Sequence, residues 1–190
     1  MGLVFLFLYA PILLLIIFSF NAGNSSAVWK GFSLKWYVEL FQDRLIMQSV
    51  YTTLLVSVLA TLIATVAGTF AAIGFYNMKR RWRNPLLTIN NIPMMNADIV
   101  TGISLLLFFI FVKIPRGYLT LLISHIVFNV PYVIFSVLPR LKGMDEHLYE
   151  AALDMGATPG YAVRKVIVPE LMPGIVTGFI MAFTMSFDDF

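Results

Sequence analysis

The sequence predicts an all-α membrane protein, on three observations. Mean hydropathy is +0.86, charged residues make up only 12% of 190, and apolar runs recur along most of the chain. A soluble domain needs roughly 25% charged residues to cover its surface, so this composition excludes one. Crossing about 30 Å of hydrocarbon takes roughly 20 apolar residues, and five segments have that length.

The first span is Leu3 to Phe20, interrupted only by Pro11. It lacks a basic leader and a small-residue cleavage site, so it reads as a retained span. The second runs from about Val50 to Phe75, the third from Leu86 to Val112, the fourth from Tyr118 to Leu138, and the fifth from Leu171 onward. Because the fifth is still running at Phe190, the expectation is a longer chain carrying a sixth span. The whole of 1–190 reads as one transmembrane domain, with a polar loop at 143–169 inside it.

Basic residues set the orientation. Lys79, Arg80, Arg81 and Arg83 follow span two, and Arg140, Lys142, Arg164 and Lys165 follow span four; Lys30, Lys35, Arg44, Lys113 and Arg116 occupy the other side. Eight against five, with tighter clustering, places the loops after spans two and four in the cytoplasm. The net charge of +3 therefore marks topology and calls for no nucleic-acid partner. The absence of cysteine leaves the redox compartment unspecified.

Between spans one and two, the 21–47 loop contains a short helix entered through Ser33. Its Leu34, Tyr37, Val38 and Phe41 recur at spacings of three and four, a face suited to a membrane surface or neighbouring spans. Span two carries Ala60, Ala64, Gly68 and Ala72 at four-residue intervals, and span five carries Gly174 and Gly178. Such stripes let membrane helices approach closely.

The 143–169 loop is unusually rich in helix punctuation. Leu148, Ala151, Ala152 and Met155 share one face of a helix from about Asp145 to Met155; Gly156 is a stop, Thr158 an N-cap and Pro159 a first helical residue. Helix, tight turn, helix is the predicted result. The order Glu150-Ala151-Ala152, three residues, Gly156, nine residues, then Val166-Ile167-Val168-Pro169 resembles the EAA signature of permease subunits of ABC importers, with Val166 and Val168 as mild departures. The segments PMMNADIVTGISLL, SHIVFNVPYVI, PRLKGMDEHLYEAA and SFDDF resemble the second permease subunit of spermidine/putrescine importers.

The resemblance implies a type I importer fold in a bacterial cytoplasmic membrane. It also implies a homologous second permease, two cytoplasmic ATPase subunits holding ATP and magnesium, and an extracytoplasmic substrate-binding protein. Glu150, Ala151, Ala152, Gly156 and Pro169 would couple the spans to the ATPase. Trp36, Asp98, Ser186, Asp188 and Asp189 would line a polyamine pathway. The chain itself has no Gly-Lys pair for a phosphate-cradling loop, so it is not expected to be an enzyme. His125 and His147 are isolated, with no metal-ligand cluster, and read as hydrogen-bonded structural residues.

Independently of resemblance, Asp98, Asp188 and Asp189 are acids within apolar spans, which suits a cationic cargo. A position about 12 residues into span three would set Asp98 roughly 18 Å deep. Aromatic faces such as Trp36 and Tyr37 would add cation–π contacts. Each has a blander alternative: Asp98 capping a half-helix after Pro93, Trp36 as an interfacial aromatic, and the acidic pair as a packing network or a salt bridge to the partner subunit. Rival functions are an importer of another small solute, an ATP-independent secondary transporter using the acids as a proton relay, and a membrane scaffold.

Overall fold

A computed structural model describes residues 2–24, 28–145 and 147–188, so Asp189 lies outside the described residues. The described residues are overwhelmingly helical and divide into two units, Met1–Thr52 and Thr53–Phe190.

The first unit opens with α1 (Gly2–Phe18), apolar on every side with Pro11 inside it. At about 1.5 Å per residue it is about 26 Å long. A strap then folds back on itself: Asn21 and Phe32 form an antiparallel bridge, with Ala22 N–H donating to Gly31 at 2.9 Å and Ser33 N–H to Phe20 at 2.7 Å. Gly31 sits at φ +111°, a conformation that only glycine adopts at no steric cost. Helix α2 (Lys35–Gln42) starts where expected, and Ser33 Oγ accepts from the Lys35 N–H. Its apolar face remains exposed except where Tyr37 lies on Phe20, ring centroids 5.3 Å apart. Asp43 ends α2, and its Oδ1 accepts the Leu45 N–H at 2.8 Å, capping the next helix.

Helix α3 (Arg44–Asn77) crosses from the first unit into the second. The remainder is α4 (Arg80–Met95), α5 (Asp98–Phe111), α6 (Tyr118–Gly143), α7 (His147–Asp154), α8 (Pro159–Ala162) and α9 (Val168–Asp188). Among the described residues, three rods are long and apolar enough to cross a membrane: α3, α6 and the continuous helix Pro159–Asp188. The expected third span is instead α4 and α5, bent by 108° at Asn96–Ala97. Pro93 removes a helical donor just before the break, and Asn96 and Ala97 both adopt extended ψ. Asp98 is thus the first residue of α5, not twelve residues into a continuous helix. Its carboxylate stands in the first turn, where the helix dipole favours negative charge.

The core of the second unit lies among α3, α6 and α9, around Ala72, Val133, Ile134, Val137, Leu138, Leu141, Leu171 and Ala182. The small residues allow it. A Cβ on Gly68 would stand 2.7 Å from Val133 Cβ, and one on Gly178 would stand 3.1 Å from Val133 Cα. Both glycine faces therefore close on the same residue of α6, where dispersion and close backbone approach replace the missing hydrophobic drive.

Candidate functional site

In the polar loop, Asp145 Oδ1 accepts the His147 N–H at 2.9 Å and starts α7. Gly156, at φ +86°, ends it: the Ala157 N–H reaches Ala152 O at 3.1 Å and the Gly156 N–H reaches Leu153 O at 2.8 Å. This paired closure with a left-handed residue after the helix is a Schellman cap. Thr158 precedes Pro159 in extended conformation, but its hydroxyl makes no capping bond; its carbonyl accepts the Ala162 N–H instead.

The second loop helix does not stop. It continues through a π-helical turn, Val163–Ile167, directly into α9. Pro169 explains the widening, because its ring would clash with the Lys165 carbonyl in an α-helix, and the π turn relieves that contact. The result is one 30-residue rod with its foot in the polar loop and its far end at Asp188.

On the loop surface, Glu150 and Ala151 are exposed, and Glu150 Oε2 lies 3.5 Å from His147 Nδ1, a solvated pair of little energetic weight. Of the predicted stripe, Leu148 and Ala152 are half-buried, whereas Ala151 and Met155 face outward; Met155 is 90% exposed. Ala152, Met155, Gly156, Tyr161 and Val166 line a shallow hollow.

The predicted pathway residues occupy different places. Asp98 lines a cleft of about 680 Å³ between α5 and α6, with Ile103, Leu106 and Phe109 on one wall and Arg116, Thr120, Ser124 and His125 on the other. Ser186 is buried, its hydroxyl 2.8 Å from His125 Nδ1 and its carbonyl accepting from Ser57 Oγ at 3.0 Å. Asp188, two residues on, is exposed. At about 100° per residue the two point nearly opposite ways, so burying Ser186 turns Asp188 outward. Trp36 belongs to the first unit, where its indole N–H donates to Asn21 O at 2.9 Å and the Lys35 ammonium lies 5.3 Å from its ring. Asn21 is the hidden organiser there: its side chain donates to Val28 O and accepts from the Lys30 and Gly23 N–H groups.

Sequence reasoning missed Asn21, Asp43, Ser57 and the partner of His125. An Asp directly before a helix is a legible cap signal; Asn21 acts through bonds to residues 2 to 15 positions along the chain, and Ser57 and His125 through bonds spanning 129 and 61 residues.

Residues 64–190 match the family described as binding-protein-dependent transport system inner membrane component. The chain belongs to this family of transport permeases. Over 189 residues, all of the chain, it is 37% identical to the spermidine/putrescine transport system permease protein PotC of Haemophilus influenzae, covering 74% of that protein. It is 37% identical to PotC of Escherichia coli K12, covering 72% of it, and 38% identical over 192 residues to the E. coli K12 putrescine transport system permease protein PotI, covering 68%. The permease is thus a multi-pass inner-membrane transport subunit rather than an enzyme. The matched region contains the whole α6–loop–α9 assembly. Within this permease, Glu150 and Ala151 of the loop signature fall on exposed helix with Ala152 half-buried beside them, and Asp98 and Asp188 fall at helix ends.

Proposed function

We propose that this permease forms half of a polyamine pathway in an ATP-driven importer, with a homologous permease completing the pathway. A separate ATPase pair, binding ATP and magnesium, would dock on the loop around Glu150, Ala151, Ala152 and Gly156, on the cytoplasmic side, and a binding protein would deliver cargo from outside. The observation that carries this reading is the unbroken rod from Pro159 to Asp188. A push on α7 and α8 moves a span directly, with Pro169 and its π turn setting the twist between foot and span.

The cargo assignment is supported by the names of the relatives and by chemistry. Asp98 and Asp188 are exposed carboxylates at the ends of apolar helices, a costly arrangement within a membrane unless they meet cations. Facing a second permease, they would offer charge to successive ammonium groups; Asp189 would join them, and Ser186 would set their direction from beneath. Trp36 would receive cargo at the outer end.

The test is ATP-dependent uptake of labelled spermidine by vesicles holding the full complex. Asp188→Asn is expected to lower uptake at least tenfold while the complex still assembles. Glu150→Lys and Gly156→Asp are expected to abolish uptake and weaken retention of the ATPase while leaving the permease pair intact. An assembled, ATP-hydrolysing complex that ignores spermidine and putrescine overturns the cargo; unimpaired uptake in both loop variants overturns the coupling.

A further inference from the structure

Among the described residues, one polar contact ties the α5–α6 cleft to the acidic end of α9. His125 is 8% exposed, in the first third of α6 on its buried face, and it lines the cleft that Asp98 also lines. Its Nδ1 lies 2.8 Å from Ser186 Oγ, and the Ser186 carbonyl is held in turn by Ser57 of α3. Three helices meet at one serine.

Packing alone does not require this. Two turns further along α6, the same three helices close on Val133 between Gly68 and Gly178 without such a pair; Ser136, the polar side chain beside Gly178, bonds back to the Tyr132 carbonyl of its own helix. A buried His–Ser pair costs desolvation that an apolar pair would avoid, and what it supplies in return is a fixed orientation. What it orients is clear from the helical turn: with Ser186 locked against His125, Asp188 must face away from α6.

We propose that His125 is a positioning residue for cargo: it fixes the rotation of the end of α9 through Ser186 and so presents Asp188 to the pathway, while its ring forms the wall between that end and the Asp98 cleft. This rests on the polyamine-pathway reading above.

The experiment measures KM and maximal rate of spermidine uptake by the full complex. His125→Phe keeps a ring and loses both nitrogens; His125→Asn places an amide at the position of Nδ1. His125→Phe is expected to raise KM about tenfold with assembly and basal ATP hydrolysis unchanged, His125→Asn to restore KM to within about threefold, and His125→Phe combined with Ser186→Ala to be no worse than either alone. Unchanged KM in both His125→Phe and Ser186→Ala, or His125→Asn as impaired as His125→Phe, overturns the proposal. Should His125→Phe fail to assemble, Ser186→Ala decides: a raised KM supports the proposal and an unchanged one overturns it. Absence of polyamine uptake by the wild-type complex instead overturns the cargo reading and this inference with it.

Discussion

Asn129 is fully buried in α6, and neither its side-chain oxygen nor its nitrogen has a hydrogen-bond partner; the hydroxyls of Thr61 and Thr65 on α3 are likewise unpaired. These residues fall between the level of Ser57, His125 and Ser186 and the level of Gly68, Val133 and Gly178. An unpaired buried amide costs about 1–3 kcal/mol, so Asn129→Leu, which keeps the branched shape, is expected to leave stability unchanged or raise it by about 1 kcal/mol. Thermal unfolding of the purified complex in detergent checks this, and a clear loss would mean that the amide is satisfied by bound water. Gly156 shows the opposite kind of residue dependence. Its neighbourhood is open, with nothing within 4 Å of an added Cβ, yet its φ of +86° strains any other side chain. Gly156→Asn is therefore expected to retain more uptake than Gly156→Val, since asparagine tolerates the left-handed region and a β-branched residue does not.

At the scale of elements, the small-residue stripe of α3 gives a controlled comparison within one helix. Gly68→Ala drives a methyl to 2.7 Å from Val133 Cβ, whereas Gly74→Ala meets nothing within 4 Å. Overpacking costs typically about 1–3 kcal/mol, while alanine is intrinsically better than glycine in a helix by about 1 kcal/mol. The expected outcome is opposite signs: a lowered unfolding midpoint for Gly68→Ala and an unchanged or raised one for Gly74→Ala. Equal effects would mean that α3 and α6 do not depend on this close approach. The third apolar segment teaches a different lesson about elements. Its hydropathy is continuous across Pro93 to Asp98, but Asn96 and Ala97 leave the helix, and two helices at 108° replace one rod.

At the scale of the whole molecule, charge and geometry constrain one another. The basic groups at Lys79–Arg83 and at Arg140–Lys142 belong on one side, and α6 crosses between Gly117 and Gly143. The bent pair α4–α5 is then expected to cross as well, as a broken span rather than a re-entrant hairpin. Residues 1–190 contain no cysteine, so each single substitution introduces a thiol that is unique within this segment. Lys79→Cys and Gly143→Cys are expected to react with an impermeant maleimide only from the cytoplasmic face, and Ile114→Cys only from outside. Labelling of Lys79→Cys and Ile114→Cys from the same side would show that the bent pair does not cross.

Local chemistry determined much of this protein in advance. Apolar run length marked α3, α6 and α9 but not the break in the third run; the order Gly156, Thr158, Pro159 marked the helix–turn–helix; the four-residue stripe marked the face of α3 that is buried. Each depends on residues within a few positions of one another, where backbone conformation and helical period are set. Tertiary structure alone decided the rest. It joined Ser57 and His125 to a serine 129 and 61 residues away, made Asn21 the hub that holds Trp36, and turned Asp188 outward by burying Ser186. It also showed that the second loop helix and the last span are one rod. Helical period says which residues share a face, but only packing against other helices says what that face meets.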